Sequence, residues 1–196
     1  MIRVVLAVLL AGTPAMAEPT SLQALSNYVN ALESAETRFT QYNSDGSRSA
    51  GTLYIKRPGR MRFEYDPPND ALVLANINTV AIFDSKSNAE PQQFPLKRTP
   101  LNLILGKNVD LNQTNMVFDH YETDEGLTAV VARDPENPDN GMIELFFEAD
   151  PIELAQWVIT DESGTKTGVE LDALNRDVEF PNWFFSVKRE ADQRSQ

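Results

Sequence analysis

Cysteine is absent from this 196-residue chain, and histidine occurs once, at His120. Without thiols there is no disulfide framework and nothing for an oxidising compartment to act on. The same shortage argues against zinc, since cysteine and histidine are its usual ligands. Catalysis by nucleophile and base is thinly provided for. The one histidine stands beside Phe118 and Tyr121 in a strand-like run, where packing is the commoner role, and no Gly-x-Ser-x-Gly elbow accompanies it. Basic residues are also in short supply, 17 Lys and Arg against 29 Asp and Glu, for a net charge of −12. That sign repels nucleic acid, whose binding rests on phosphate neutralisation, and also anionic lipid headgroups. It serves plain solubility equally well. The last absence is a long apolar run: a bilayer span needs about twenty such residues, and no stretch reaches that.

The longest apolar stretch, residues 4–12, is flanked by Arg3 and by Ala15-Met16-Ala17. A short apolar run between a positive charge and a small-residue site reads as a secretion signal, cleaved after Ala17. Glu18 follows and no cysteine does, so a lipid anchor of the bacterial lipobox kind is not expected. The remaining 179 residues lose Arg3 and carry −13. That length is enough for one domain with a sizeable core, expected over residues 18–196. The oxygen-rich loop at residues 134–141 could bind calcium weakly. It lacks the ligand register of an EF-hand, and Asn140-Gly141 before a strand is first a hairpin signal. Carboxylate pairs such as Asp84 with Glu90 are unremarkable at this acid content, and no pair facing across a cleft is legible from sequence. The expectation is no catalytic residue, no metal and no cofactor.

What is present is pattern. Thr20 with Gln23 has capping-box spacing, and Leu22, Leu25, Val29 and Leu32 follow on one helical stripe with Tyr28 beside them. From Phe39 the period becomes two, through runs near residues 71–75, 80–83, 116–121, 127–132, 142–148, 154–160 and 165–171. Turn-rich segments separate these runs, which predicts an antiparallel sheet curling into a barrel or half-barrel. Thr99-Pro100-Leu101-Asn102-Leu103-Ile104-Leu105-Gly106 interrupts them with a cap, a proline at the first helical position and a glycine beyond the end. That helix is apolar nearly all round, so it is a core helix or a plug. Met61, Phe63, Tyr65, Phe146, Trp157 and Phe184 read as adaptable apolar positions, either ordinary core or a pocket lining.

Residues 51–65, GTLYIKRPGRMRFEY, are the most informative segment. Leu53, Ile55 and Arg57 share one strand face, Met61, Phe63 and Tyr65 share the next, and Arg57-Pro58-Gly59-Arg60 has the chemistry of a tight turn. An apolar face ending in a guanidinium suits a sheet lining something greasy, and equally an ordinary hairpin with a solvated arginine. The wording Gly51, Leu53, Ile55, Lys56, Arg57, Pro58, Met61, Phe63, Tyr65 and Pro67 or Pro68 resembles the LolA family of periplasmic outer-membrane lipoprotein carriers. Weaker pattern in the same order continues it, through Phe39-Thr40-Gln41, Phe83-Asp84, Thr99-Pro100-Leu101, Trp157, residues 165–171, Asn175 and Phe184. Departures are Ala81, where members commonly carry tryptophan, the Asn76-Ile77-Asn78 turn in place of Asp-Gly, and the aromatic tail at residues 180–185.

The resemblance implies a mainly β fold with some α: an incomplete antiparallel β-barrel closed by helical lid segments over an apolar cavity. It implies a monomeric periplasmic chaperone with acylated lipoproteins as cargo. An inner-membrane ABC-type lipoprotein-releasing complex would be the donor, and an outer-membrane acceptor lipoprotein a further partner. Leu22, Leu25, Val29, Leu53, Ile55, Met61, Phe63, Tyr65, Leu103, Phe146 and Trp157 would line the cavity. Arg57 would latch the lid by hydrogen bonds to helix backbone. A general periplasmic lipid or glycolipid binder, or an envelope-stress sensor of the same half-barrel type, would share these features. A hydrolase using carboxylates or His120 stands further off.

Overall fold

The computed structural model describes residues 18–84, 90–113 and 115–195; the expected leader, residues 1–17, lies outside them. Helix α1 (Leu22–Ala31) is followed by strands β1 (Ser34–Tyr42), β2 (Arg48–Lys56), β3 (Arg60–Tyr65), β4 (Leu72–Asn76), β5 (Thr79–Phe83) and β6 (Gln92–Pro95). A 3-10 turn at Leu96–Arg98 leads to the short helix α2 (Asn102–Leu105). Then come β7 (Val117–Glu122), β8 (Thr128–Ala132), β9 (Met142–Ala149), β10 (Ile152–Thr160) and β11 (Lys166–Leu171), and finally α3 (Val187–Arg194).

The described strands form one antiparallel sheet in the order β6-β5-β4-β3-β2-β1-β11-β10-β9-β8-β7. Two meanders are thus joined where β1 meets β11, with Phe39 opposite Leu171 and Tyr42 opposite Gly168. The sheet ends at β6 and β7 without closing. It nevertheless wraps, because Val80 of β5 and Val130 of β8, far apart in strand order, belong to one core with Leu25 of α1 and Ile104 of α2. This is the half-open barrel with helices in its mouth that the strand pattern and the resemblance predicted.

Parity of two decides which side chains face inward. Ala35, Thr37 and Phe39 lie opposite Ile55, Leu53 and Gly51, and these in turn lie opposite Met61, Phe63 and Tyr65. Gly51 is required at its place: a Cβ there would come 2.1 Å from the Glu64 carbonyl and 2.7 Å from the Phe39 ring. Its absence lets Phe39 sit edge-on to both Phe63 and Tyr65, with centroids 5.2 Å apart in each pair.

The outer face has its own layer at one end. Leu72, Leu74, Ala81 and Phe83 form a second buried cluster against Val187 and Ala191 of α3. Ala81 therefore points away from the barrel interior, so its difference from the tryptophan common in the family concerns this outer layer. The aromatic tail packs on the same side: Tyr54 meets Phe180 and Phe184 edge-on at 5.5 and 5.0 Å. Arg62 ties the tail down through the Phe184 carbonyl (3.2 Å) and the Glu190 carboxylate (3.2 Å).

Local signals were off by small steps. The α1 N-cap is Ser21, whose hydroxyl accepts from the Ala24 amide; Gln23 reaches Asn27 instead. The Thr99 hydroxyl donates to the Leu96 carbonyl instead of capping α2. Gly106 follows α2 as predicted, but at φ −54°. Its freedom to turn left-handed goes unused there.

Candidate functional site

The β2–β3 corner places Arg57 where two helices end. Its backbone amide donates to the Glu33 carbonyl at 2.8 Å, fixing the end of β2 to the segment leaving α1. Its guanidinium donates to the Val29 carbonyl in the last turn of α1, and at 2.6 Å to the Gly106 carbonyl just past α2. A helix leaves its final carbonyls without partners and carries partial negative charge at that end. One planar cation thus satisfies two such ends together, which suits a group with five donors and no acceptor. Among the described residues the buried Arg57 Nε atom has no hydrogen-bond partner, and burial pushes the guanidinium pKa down from its ordinary value.

Gly59 extends the same corner. With φ +76° its amide donates to the Leu105 carbonyl at 2.9 Å, while its own carbonyl accepts from Ile77 at 2.6 Å. A Cβ at Gly59 would lie 2.9 Å from the Ile77 Cα, so glycine is needed for close approach as well as for φ. The turn that holds Arg57 therefore also holds the end of α2.

The helices and their linker are stitched into one unit. The Asn30 side chain donates to the Val109 carbonyl (2.7 Å) and accepts from the Val109 amide (2.9 Å). The Ser26 hydroxyl accepts from Leu111 at 3.0 Å. At the far end of α1, the Thr20 amide donates to the Thr128 hydroxyl, and His120 Nε2 pairs with the Thr20 carbonyl, both at 2.9 Å. His120 thus serves to fasten the helix start. Midway along, the Tyr28 ring meets Phe147 edge-on (5.9 Å) and carries Arg176 on its face (4.7 Å).

Most residues expected to line an apolar cavity are brought together. Leu25, Val29, Leu53, Ile55, Met61, Phe63, Leu103 and Trp157 are buried in one cluster, with Leu22 and Tyr65 packed against it. Lid and sheet side chains are in direct contact, so the interior is apolar and closed. Phe146 lies outside this set, because the inward positions of β9 are Ile143, Leu145 and Phe147. Leu145-Phe146-Phe147 is a continuous apolar run, and parity within it cannot be read without a neighbour of known orientation. Phe184 is also elsewhere, on the outer face against Tyr54 and Arg62. Sequence reasoning did not single out Phe39 and Phe147 as interior residues, although the alternation of β1 and β9 carried the signal for both. Tyr65 donates its hydroxyl to Gln41 at 2.6 Å, and burial pushes its pKa up to about 12.

Above Arg57 opens a cleft of about 760 Å³, between the end of α1, the β2–β3 corner and residues 176–180. Lys56, Arg57, Lys107 and Arg176 line it together with Glu33, Asp177 and Glu179. Among the described residues no helix is long and apolar enough to cross a membrane.

The model of the family described as outer membrane lipoprotein carrier protein LolA matches residues 30–188. The outer-membrane lipoprotein carrier protein of Azotobacter vinelandii is 34% identical over 83 residues, 40% of this chain and 40% of that protein. The match thus spans well under half the length of that relative. The protein of the same name from Chromohalobacter salexigens is 23% identical over 190 residues, 91% of this chain and 88% of that one. Among solved structures, a LolA superfamily protein from Nitrosomonas europaea superposes with TM-score 0.44 at 8% identity, covering 85% of this chain and 98% of that one.

Proposed function

Because this chain belongs to the outer membrane lipoprotein carrier family, LolA, we propose that it carries acylated lipoproteins across the periplasm, with Arg57 as the latch of its lid. The observation that carries the reading is the double engagement of Arg57 with the C-terminal ends of α1 and α2. Cargo chains would take the space now filled by Leu25, Val29, Leu103 and Ile104 against the sheet, once the lid unit lifts. The donor would be an inner-membrane lipoprotein-releasing complex and the acceptor an outer-membrane lipoprotein. No chemical step is needed, and the protein acts as a chaperone.

Magnitudes support a latch of this kind. Each buried methylene is worth ~0.8 kcal/mol, so a triacylated lipoprotein does not leave a membrane unaided. A carrier must offer similar burial yet release it. Cargo entry exchanges lid–sheet apolar contact for chain–protein apolar contact, and these terms largely offset each other. What remains to bias the balance is the polar fastening. Hydrogen bonds to a charged group contribute about 1.5–3 kcal/mol each, enough to favour the closed empty state and still yield to cargo.

The test is Arg57→Leu in the exported protein, with mass spectrometry of what co-purifies and an assay of transfer to an acceptor membrane. The expected variant is folded, enriched in acylated lipoproteins, and slow to unload. Unloading as fast as wild type would sink the latch. Phospholipid or another apolar ligand alone, on both proteins, would replace the lipoprotein reading with a general lipid binder.

A further inference from the structure

The cleft above Arg57 holds cationic chemistry that lid closure alone does not use. Lys56, Arg57, Lys107 and Arg176 converge on it. Among the described residues none of the four makes an ion pair, although the chain has 29 acids and Arg38, Arg62, Lys188 and Arg194 are each paired. Two of the cations are held in place by uncharged groups: the Lys56 amine donates to the Phe180 carbonyl at 2.5 Å, and Arg176 lies on the Tyr28 ring. Lys107 stands exposed at the rim.

We propose that this cleft binds an anionic phosphate group, and that the phosphate draws the Arg57 guanidinium away from the Val29 and Gly106 carbonyls and so releases the lid. The release half rests on the latch reading above. Arg57 now faces neutral carbonyls, its Nε has no acceptor among the described residues, and burial weighs against its charge. Phosphate oxygens supply what those carbonyls lack: a full counter-charge, and a geometry that accepts from two guanidinium nitrogens at once. Both acceptors bind a charged donor, but only the phosphate adds a full opposite charge and offers two oxygens to one guanidinium, so the anion outcompetes the carbonyls for the same donors. The volume, about 760 Å³, falls within the range of small-molecule sites.

Glu33, Asp177 and Glu179 line the same cleft and oppose an anion. Four cations against three carboxylates leave a small positive excess in a strongly acidic protein. The expected affinity is weak and salt-sensitive, fit for a contact made and broken at a phosphate-rich surface. A lid released by phosphate would open where phosphate groups are dense and stay shut in solution.

The exported protein would be titrated at low ionic strength with sn-glycerol 1-phosphate and with inorganic phosphate. It would also be mixed with vesicles of phosphatidylglycerol or of phosphatidylcholine. Binding is read by NMR shifts, and lid release by hydrogen exchange over residues 102–111. The expected result is saturable phosphate binding with faster exchange in that segment. Affinity should fall about fivefold or more in Lys107→Glu, since one charge reversal near the anion costs about 1 kcal/mol, and should rise in Glu179→Gln. Equal responses to the two soluble phosphates assign the site to the phosphate group itself. A stronger response to glycerol phosphate, shared by phosphatidylglycerol vesicles, assigns it to a lipid headgroup. No saturable binding, or binding that Lys107→Glu leaves unchanged, overturns the site; binding with unchanged exchange overturns the release. The carrier reading is judged apart from these outcomes, by unloading in Arg57→Leu, which requires no phosphate.

Discussion

The Leu154 amide donates to the Tyr28 hydroxyl at 2.9 Å, at the point where the pairing of β9 with β10 slips register between Leu154 and Gln156. A bulge leaves a strand amide without its ladder partner. Here a lid-helix side chain supplies the acceptor, so the irregularity in the sheet is also the socket for α1. The helix is thereby fastened at three places: its start at Thr20, its middle at Tyr28 and its end at Arg57.

Tyr28→Phe keeps the ring against Phe147 and Arg176 but strands a buried amide. A buried donor left without a partner costs about 1–3 kcal/mol. Urea denaturation should show a loss of that size with an unchanged slope. A loss under half a kilocalorie would mean water replaces the hydroxyl.

Arg57→Lys separates charge from geometry. An ammonium is a compact charge and cannot span two diverging carbonyls as a planar fork does. Hydrogen exchange of residues 102–111 should be faster than in wild type and slower than in Arg57→Leu. Full wild-type protection in the lysine variant would show that charge alone suffices.

Two glycines with similar φ should respond differently. Gly59 and Gly126 have φ +76° and +82°, but a Cβ would meet Ile77 at the first and nothing within 4 Å at the second. Gly126→Ala should cost about 1–2 kcal/mol, from the left-handed backbone alone. Gly59→Ala should cost more, and should also speed exchange of the Leu105 turn. Equal costs would show that the Ile77 contact relaxes freely.

Tyr65 predicts a loss of stability in alkali. Its pKa rises from 10.0 to about 12 on folding because burial disfavours the phenolate. Below pH 10 both states keep the proton and the group has no effect on the balance. Between pH 10 and 12 the unfolded chain loses the proton first, so stability falls by about 1.4 kcal/mol per unit from this group. Tyr121, bonded to Glu144, is also pushed up to about 12, so the measured quantity is the difference between wild type and Tyr65→Phe across that window. Parallel curves would mean the buried hydroxyl ionises freely.

Alternation was legible where polar residues broke it up. Residues 51–65 and β11 were located closely from sequence because turns frame them and one face is polar. The strand β6 was missed, since Gln92–Pro95 is exposed throughout and has no buried face to create a pattern. The helix α3 was missed because only Val187 and Ala191 of its largely charged sequence meet the sheet. Phe146 was placed inward because its neighbours on both sides are equally apolar.

Periodicity and turn chemistry are local, so the chain's own pattern was enough for an antiparallel barrel or half-barrel, for two apolar helical segments and for a charged corner at Arg57; the half-open form and the lid came with the resemblance. What Arg57 does with its donors was visible only in the folded molecule. Its partners are backbone carbonyls of Val29 and Gly106, 28 and 49 residues away. Every residue carries such a carbonyl, so no side-chain pattern marks the two that stand at helix ends within reach of one guanidinium. The same holds for the cleft above it, where Lys56, Lys107 and Arg176 are dispersed in the chain and meet only because the sheet curls.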